Sequence, residues 1–334
     1  DTETFTLTGL AVTDVTTCTV KNKRDTGTIT LNKAWTGGDP GQTTLQIGTS
    51  AGGSQVGTQQ TGAAGAAPLT TGAKTVTTGT YYVSETGGLA NYNGTLACTK
   101  NGNAYTPGAN DSVVVSENDV VVCTYTNARK KGSVELVKSW TGGDPGQTTL
   151  NIGTSAGGNQ VDTQQTGVAG AAPLTTGSNS VNTGTYYVSE TGGLTNYNST
   201  LACTKNGNAY TPGANDAVVV GENDVVVCTF TNARKKASVE LKKSWTGGDP
   251  GQTTLQIGTS AGGNQVDTQQ TGAAGAAPLT TGANSVNTGT YYVSETGGLA
   301  NYDGSLACKK NGQDYTPGAN DAVVVGENDV VVCT

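Results

Sequence analysis

Apolar and polar residues alternate along short runs of this chain, the period of a half-buried β-strand. In Ser133–Trp140 (SVELVKSW), Val134, Leu136, Lys138 and Trp140 share one face. The apolar members make that face the core, so Lys138 is predicted to point inward. The same parity puts Glu190 on the face of Tyr186 and Val188, and Asn232 on the face of Val226, Cys228 and Phe230. Further strands are predicted over Thr148–Ile152, Gly184–Glu190, Ser199–Thr204, Ala217–Val220 and Asp224–Asn232. Thr141–Gln147 (TGGDPGQ) reads as a turn, with Asp-Pro and Gly supplying the geometry. Gly153–Thr176 is rich in Gly, Ala and Gln and has the weakest pattern. About seven short strands with frequent turns predict an all-β module, a β-sandwich of immunoglobulin-like type.

This pattern occurs three times. GTITLNKAW at Gly27–Trp35 returns as GSVELVKSW at Gly132–Trp140 and ASVELKKSW at Ala237–Trp245, a constant step (132 − 27 = 105, 237 − 132 = 105). Sandwich repeats are therefore expected over 27–131, 132–236 and 237–334. Residues 1–26 are expected to be the end of a preceding module, because Thr16–Arg24 (TTCTVKNKR) matches Val121–Arg129 (VVCTYTNAR). On that reading the third module lacks most of its last strand beyond Thr334, and the chain is a window on a longer array. The alternative is a subunit that donates Val15–Asn22 to another copy, head to tail, with Asn22 at the position of Asn127. The joints Ala128–Lys131 and Ala233–Lys236 (ARKK) have neither Pro nor a Gly/Ser run. So short a connection should hold neighbours nearly end to end, with its basic cluster facing water and the acidic loops of the next module.

Composition narrows the functional classes. Charged residues make up 13% of the 334, the net charge is −7, and His and Met are absent. No basic stripe interleaved with aromatics suggests nucleic acid. The acidic balance also argues against an anionic membrane surface as a partner. No apolar stretch is long enough to span a bilayer. Without His, and without a nucleophile–base pair beyond the set described next, nothing in the chain implies turnover of an external substrate or a cofactor.

The seven cysteines occupy two positions of the repeat. Cys98, Cys203 and Cys308 share one; Cys18, Cys123, Cys228 and Cys333 share the other. Pairing within a module gives Cys98–Cys123, Cys203–Cys228 and Cys308–Cys333, and leaves Cys18 unpaired here. Zinc would need clustered pairs or His. Disulfides in an oxidising compartment are the leading reading, and buried free thiols the alternative.

An inward lysine must pair or lose its proton. Parity places Lys33 with Glu85 and Asn127, Lys138 with Glu190 and Asn232, and Lys243 with Glu295, whereas Lys242 falls on the outer face. A neutral lysine is a nucleophile. Beside an Asn carboxamide, with a buried carboxyl to shuttle protons and polarise the carbonyl, it would form an amide and release ammonia. The product is a Lys–Asn isopeptide between first and last strands. The competing reading is a buried Lys–Glu salt bridge with Asn bonded to the backbone.

GTITLNK, GTYYVSET and CTFTN, in this order, resemble the collagen-adhesin B-type domains, also called SpaA-like or prealbumin-like, and above all their disulfide-bearing subtype. The likeness covers all three modules. It implies stalk domains of bacterial pilins and surface adhesins, with lysine in the first strand, Tyr-x-x-x-Glu in the middle and Asn or Asp in the last. The departure is the disulfide, which many isopeptide-bearing domains lack.

Other signals are weaker. Asp39, Asp144 and Asp249 lie in GGDPG turns, and the Asn-Asp pairs of GAND and GEND read as turn chemistry without a calcium loop. Asn93, Asn110 and Asn198 begin formal glycosylation sequons, but the third copy has Asp303 and Ala322 at the relevant places. The leading expectation is a structural segment of an extracellular bacterial surface fibre or adhesin stalk, whose partners are further copies of itself. The alternative is a multivalent module recognising glycan or a host or neighbour-cell protein, with Tyr82, Tyr187 and Tyr292 as the contact candidates.

Overall fold

The computed structural model describes residues 6–334. It divides into two compact units, Asp1–Lys130 and Lys131–Thr334. The first contains one β-sandwich module and the second contains two.

In the first module the strands are β1 (Thr26–Thr36), β2 (Thr44–Gly48), β3 (Gly57–Gln60), β4 (Lys74–Thr77), β5 (Gly79–Thr86), β6 (Tyr92–Lys100), β7 (Asn103–Tyr105), β8 (Ser112–Val115) and β9 (Val120–Arg129). One sheet runs β4-β1-β9-β6-β7, and the facing sheet runs β3-β2-β5-β8. All neighbours are antiparallel except β1 and β9, which run parallel from Thr28↔Val120 to Thr36↔Ala128. Ile29 and Leu31 from β1, Leu45 and Ile47 from β2, Val83 from β5, and Val113 and Val115 from β8 meet between the sheets. Val121 and Cys123 on the central strand β9 complete that core. The alternation of β1 is regular: every second residue from Gly27 to Lys33 is buried.

The second and third modules repeat this arrangement, with five- and four-stranded sheets in the same order. Three strands of the second module are absent from the alternation pattern: Asp162–Gln165, Asn179–Asn182 and Asn208–Tyr210. All three lie at sheet edges. Asp162–Gln165 buries no residue and Asn179–Asn182 buries one, so neither carries a two-residue hydrophobic period. In the third module the last strand is Val330–Cys333, and its parallel partner spans Lys236–Leu241.

Disulfides join Cys98–Cys123, Cys203–Cys228 and Cys308–Cys333, and Cys18 is free and exposed. Each bridge links residues directly opposite one another on antiparallel strands, as Cys98 and Cys123 are on β6 and β9. Thr6–Asp25 contains no strand, and Val12, Val15 and Val20 on it are exposed. Val15–Asn22 thus differs from its sequence equivalent Val120–Asn127, because a strand needs a ladder neighbour and this segment has none.

Within the second unit, a single residue, Lys235, separates Val225–Arg234 from Lys236–Leu241. Lys235 Nζ lies 3.8 Å from Glu327 Oε2, and Asn198 Nδ2 donates to Glu327 Oε1. Arg234 donates to the Thr288 carbonyl at 3.4 Å. The basic joint therefore contacts an acidic loop of the following module.

Candidate functional site

Lys33 comes from β1, Asn127 from the adjacent β9, and Glu85 from β5 across the sandwich. Strand parity turns all three into the interior. The side chains of Lys33 and Glu85 are 0% and 4% exposed, and Asn127 is fully buried. Lys33 Nζ lies 3.2 Å from Glu85 Oε1 and donates to the carbonyls of Ala34 (2.9 Å) and Tyr125 (3.2 Å). The Trp35 ring sits 4.3 Å from the same nitrogen, an added cation–π contact. Asn127 Nδ2 donates to Glu85 Oε1 at 3.1 Å. One carboxylate oxygen therefore touches both the amine and the carboxamide nitrogen. Asn127 Oδ1 is buried without a hydrogen-bond partner.

The second module repeats the set. Lys138 Nζ is 3.1 Å from Glu190 Oε1 and donates to the carbonyls of Ser139 and Phe230, each at 3.0 Å. Asn232 Nδ2 donates to Glu190 Oε1 at 3.0 Å, and Asn232 Oδ1 is again buried without a partner. In the third module Lys243 and Glu295 pair at 2.8 Å, but their side chains are more open, 15% and 24% exposed. Asn22 is exposed and meets no such pair. Lys242 faces outward beside Glu240.

Burial lowers the pKa of Lys33 and of Lys138 below the ordinary lysine value, while the adjacent Glu85 or Glu190 partly offsets the shift. The electrostatics thus shift each lysine towards the neutral amine. The backbone carbonyls and the tryptophan ring favour the ammonium.

Several residues around the set escaped the sequence reading. Ser199 Oγ donates to the second oxygen of Glu190 at 3.0 Å. The equivalent residue in the first module is Gly94, whose added Cβ would lie 3.1 Å from Asn127 Oδ1. Beside Gly94 a cavity of about 400 Å³ is lined by Glu85, Asp111 and Tyr125. Tyr125 donates its hydroxyl to Asp111 at 2.8 Å, and burial raises its pKa far above the usual phenol range. The only signal in the sequence was the exchange of Gly94 for Ser199, and of Tyr125 for Phe230, between otherwise similar copies. Tyr82, Tyr187 and Tyr292 are half-buried.

A family described as the prealbumin-like fold domain matches residues 28–129 and 141–234. The chain belongs to that family. Among solved structures, the prealbumin-like modules resemble the Bacillus anthracis TIE protein at 16% identity and TM-score 0.43, over 91% of this chain and 49% of that one. The chain therefore spans about half the length of that protein. The major pilin T-13 of Streptococcus pyogenes is similar at 14% identity and TM-score 0.35, over 63% of this chain and 97% of that one. Two B repeat units of the collagen binding protein of Staphylococcus aureus match at 13% identity and TM-score 0.23, over 92% and 74% of the respective chains. A comparison with curated proteins returned no match. Among the described residues, no helix is long and apolar enough to cross a membrane.

Proposed function

We propose that this chain is a non-enzymatic structural segment of an extracellular bacterial surface fibre, a pilus-like filament or adhesin stalk. In each complete module a Lys–Asn isopeptide ties the first strand to the last. The observation that carries the reading is the buried meeting of Lys33, Glu85 and Asn127 between parallel neighbours β1 and β9, repeated at Lys138, Glu190 and Asn232. The neutral Nζ attacks Cγ of the asparagine, and a C–N bond forms as the Cγ–Nδ2 bond breaks. Glu85 takes the proton from Nζ, turns its O–H towards Asn127 Oδ1 as negative charge develops there, and then passes the proton to the leaving nitrogen, which departs as ammonia. No oxidant or cofactor enters the balance. The reaction happens once per module, so the set is a maturation device and not a turnover site.

The buried ion pair is the second reading, and it rests on the two carbonyls and one carboxylate that surround each ammonium. Intact mass after reduction separates the two. The isopeptide reading predicts loss of one ammonia for each of the sets Lys33–Asn127 and Lys138–Asn232, abolished in the first by Glu85→Gln. An unaltered reduced mass rejects it.

Self-association is part of the proposal. Its form would be donation of Val15–Asn22, which carries an asparagine at the position of Asn127, to another copy. A chain that stays monomeric at high concentration rejects donation of that strand. The multivalent alternative draws on Val114, Val219 and Val324, which are exposed at the same place in every module. An array of glycans and surface proteins that binds nothing above background would dispose of it.

A further inference from the structure

The two complete sets differ at the one position that touches the second carboxylate oxygen. Ser199 Oγ donates to Glu190 Oε2 at 3.0 Å, while Glu190 Oε1 faces Lys138 and Asn232 Nδ2. Both oxygens of Glu190 are therefore held, and the carboxyl is fixed in the orientation of the ion pair. In the first module Gly94 takes the place of Ser199 and has no side chain to offer. Glu85 is held only through Oε1, and the cavity beside Gly94 leaves it room to turn.

For bond formation the carboxyl must leave that resting orientation. Once it has taken the Nζ proton, it has to turn its O–H towards Asn Oδ1, which is buried without a partner and on which negative charge develops. In the second module this motion breaks the Ser199 bond. Ammonia must also depart from the buried carboxamide, and the exposed Gly94 lies over Asn127 Oδ1 without a side chain, whereas Ser199 adds one at the equivalent place.

We infer that the residue at 94 and 199 is a positioning residue that sets the order of cross-linking: the Gly94 module closes its isopeptide first, and Ser199 delays the second. This rests on the isopeptide reading. A charge-assisted hydrogen bond that must be broken on the way to the transition state slows the step by about tenfold or more.

The test is cell-free synthesis of the full chain, run cold enough that the faster module is caught incomplete. Samples are quenched over time and the branched peptides Lys33–Asn127 and Lys138–Asn232 are quantified by mass. Wild type is expected to complete the first link about tenfold sooner than the second. Gly94→Ser should slow the first link, and Ser199→Gly should bring the second level with the wild-type first. Ser199→Ala keeps a side-chain carbon without the hydroxyl, and Ser199→Thr keeps the hydroxyl. Acceleration by Ala and none by Thr assigns the delay to the hydrogen bond, a pattern that a loss of packing would not give. Circular dichroism of each variant checks the fold. Two links that form at equal rates in every variant overturn the inference and leave the isopeptide standing. No branched peptide in either module overturns both.

Discussion

Asp119 sits on a turn between β8 and β9 and holds together the corner where the two sheets meet. It accepts from Lys100 Nζ at 2.6 Å, from the Ser116 amide at 2.7 Å and from Asn101 Nδ2 at 2.9 Å. The Lys100 hydrogen bond, then those from Ser116 and Asn101, lower its pKa to about 2. A carboxyl whose folded pKa lies below its unfolded value stabilises the fold above the unfolded value. That stabilisation is lost as pH falls from about 4 through about 2. Asp119→Asn should therefore lower the melting temperature at pH 7, and the gap from wild type should narrow below pH 2. Thermal melts at the two pH values check this, and an equal gap at both would contradict it. The inward Lys33, Glu85 and Asn127 were legible in the sequence because each lies on a strand whose alternate residues are plainly apolar. The knot around Asp119 and the Ser199–Glu190 bond were not. They depend on which loops and strands become neighbours, and a period of two is silent on that.

Among the elements, the central strand β9 has a different tie on each side. On one side it lies parallel to β1, where Lys33 and Asn127 approach Glu85. On the other side Cys123 is bridged to Cys98 of β6. The disulfide spans 25 residues of sequence, and a loop of that size is worth about 3 kcal/mol on the chain-entropy account. Replacing Cys98 and Cys123 together by Ser should lower the stability of the first module by about that amount in denaturant titration. A change below about 1 kcal/mol would mean that β9 is held chiefly from the β1 side. The edge strand β8 is blunted by side chains. Tyr105 accepts from the Val114 amide at 3.1 Å, and Lys100 donates to the Val114 carbonyl at 3.1 Å. The same two contacts recur at Val219 and Val324, so this edge offers fewer free groups to a passing strand. The sequence disclosed the central strands and hid the short polar edges, because alternation is imposed only where one face is buried against a core.

For the whole molecule, topology decides how tension would enter a module. The chain arrives through β1 and leaves through β9, and these strands are parallel neighbours. Pulling them apart loads their ladder in shear, so many hydrogen bonds must fail together. A Lys33–Asn127 link would carry the load past the module altogether. On the same chain-entropy account a link closing so long a loop stabilises by about 4–5 kcal/mol, more than the disulfide. The repeats would then behave as a series of covalently closed units. The most direct test is to pull single reduced chains from their ends and record the length released. With both links formed, the first and second modules release none of the chain between Lys33 and Asn127, or between Lys138 and Asn232. Release of each loop in full, on the order of 300 Å per module, would contradict it.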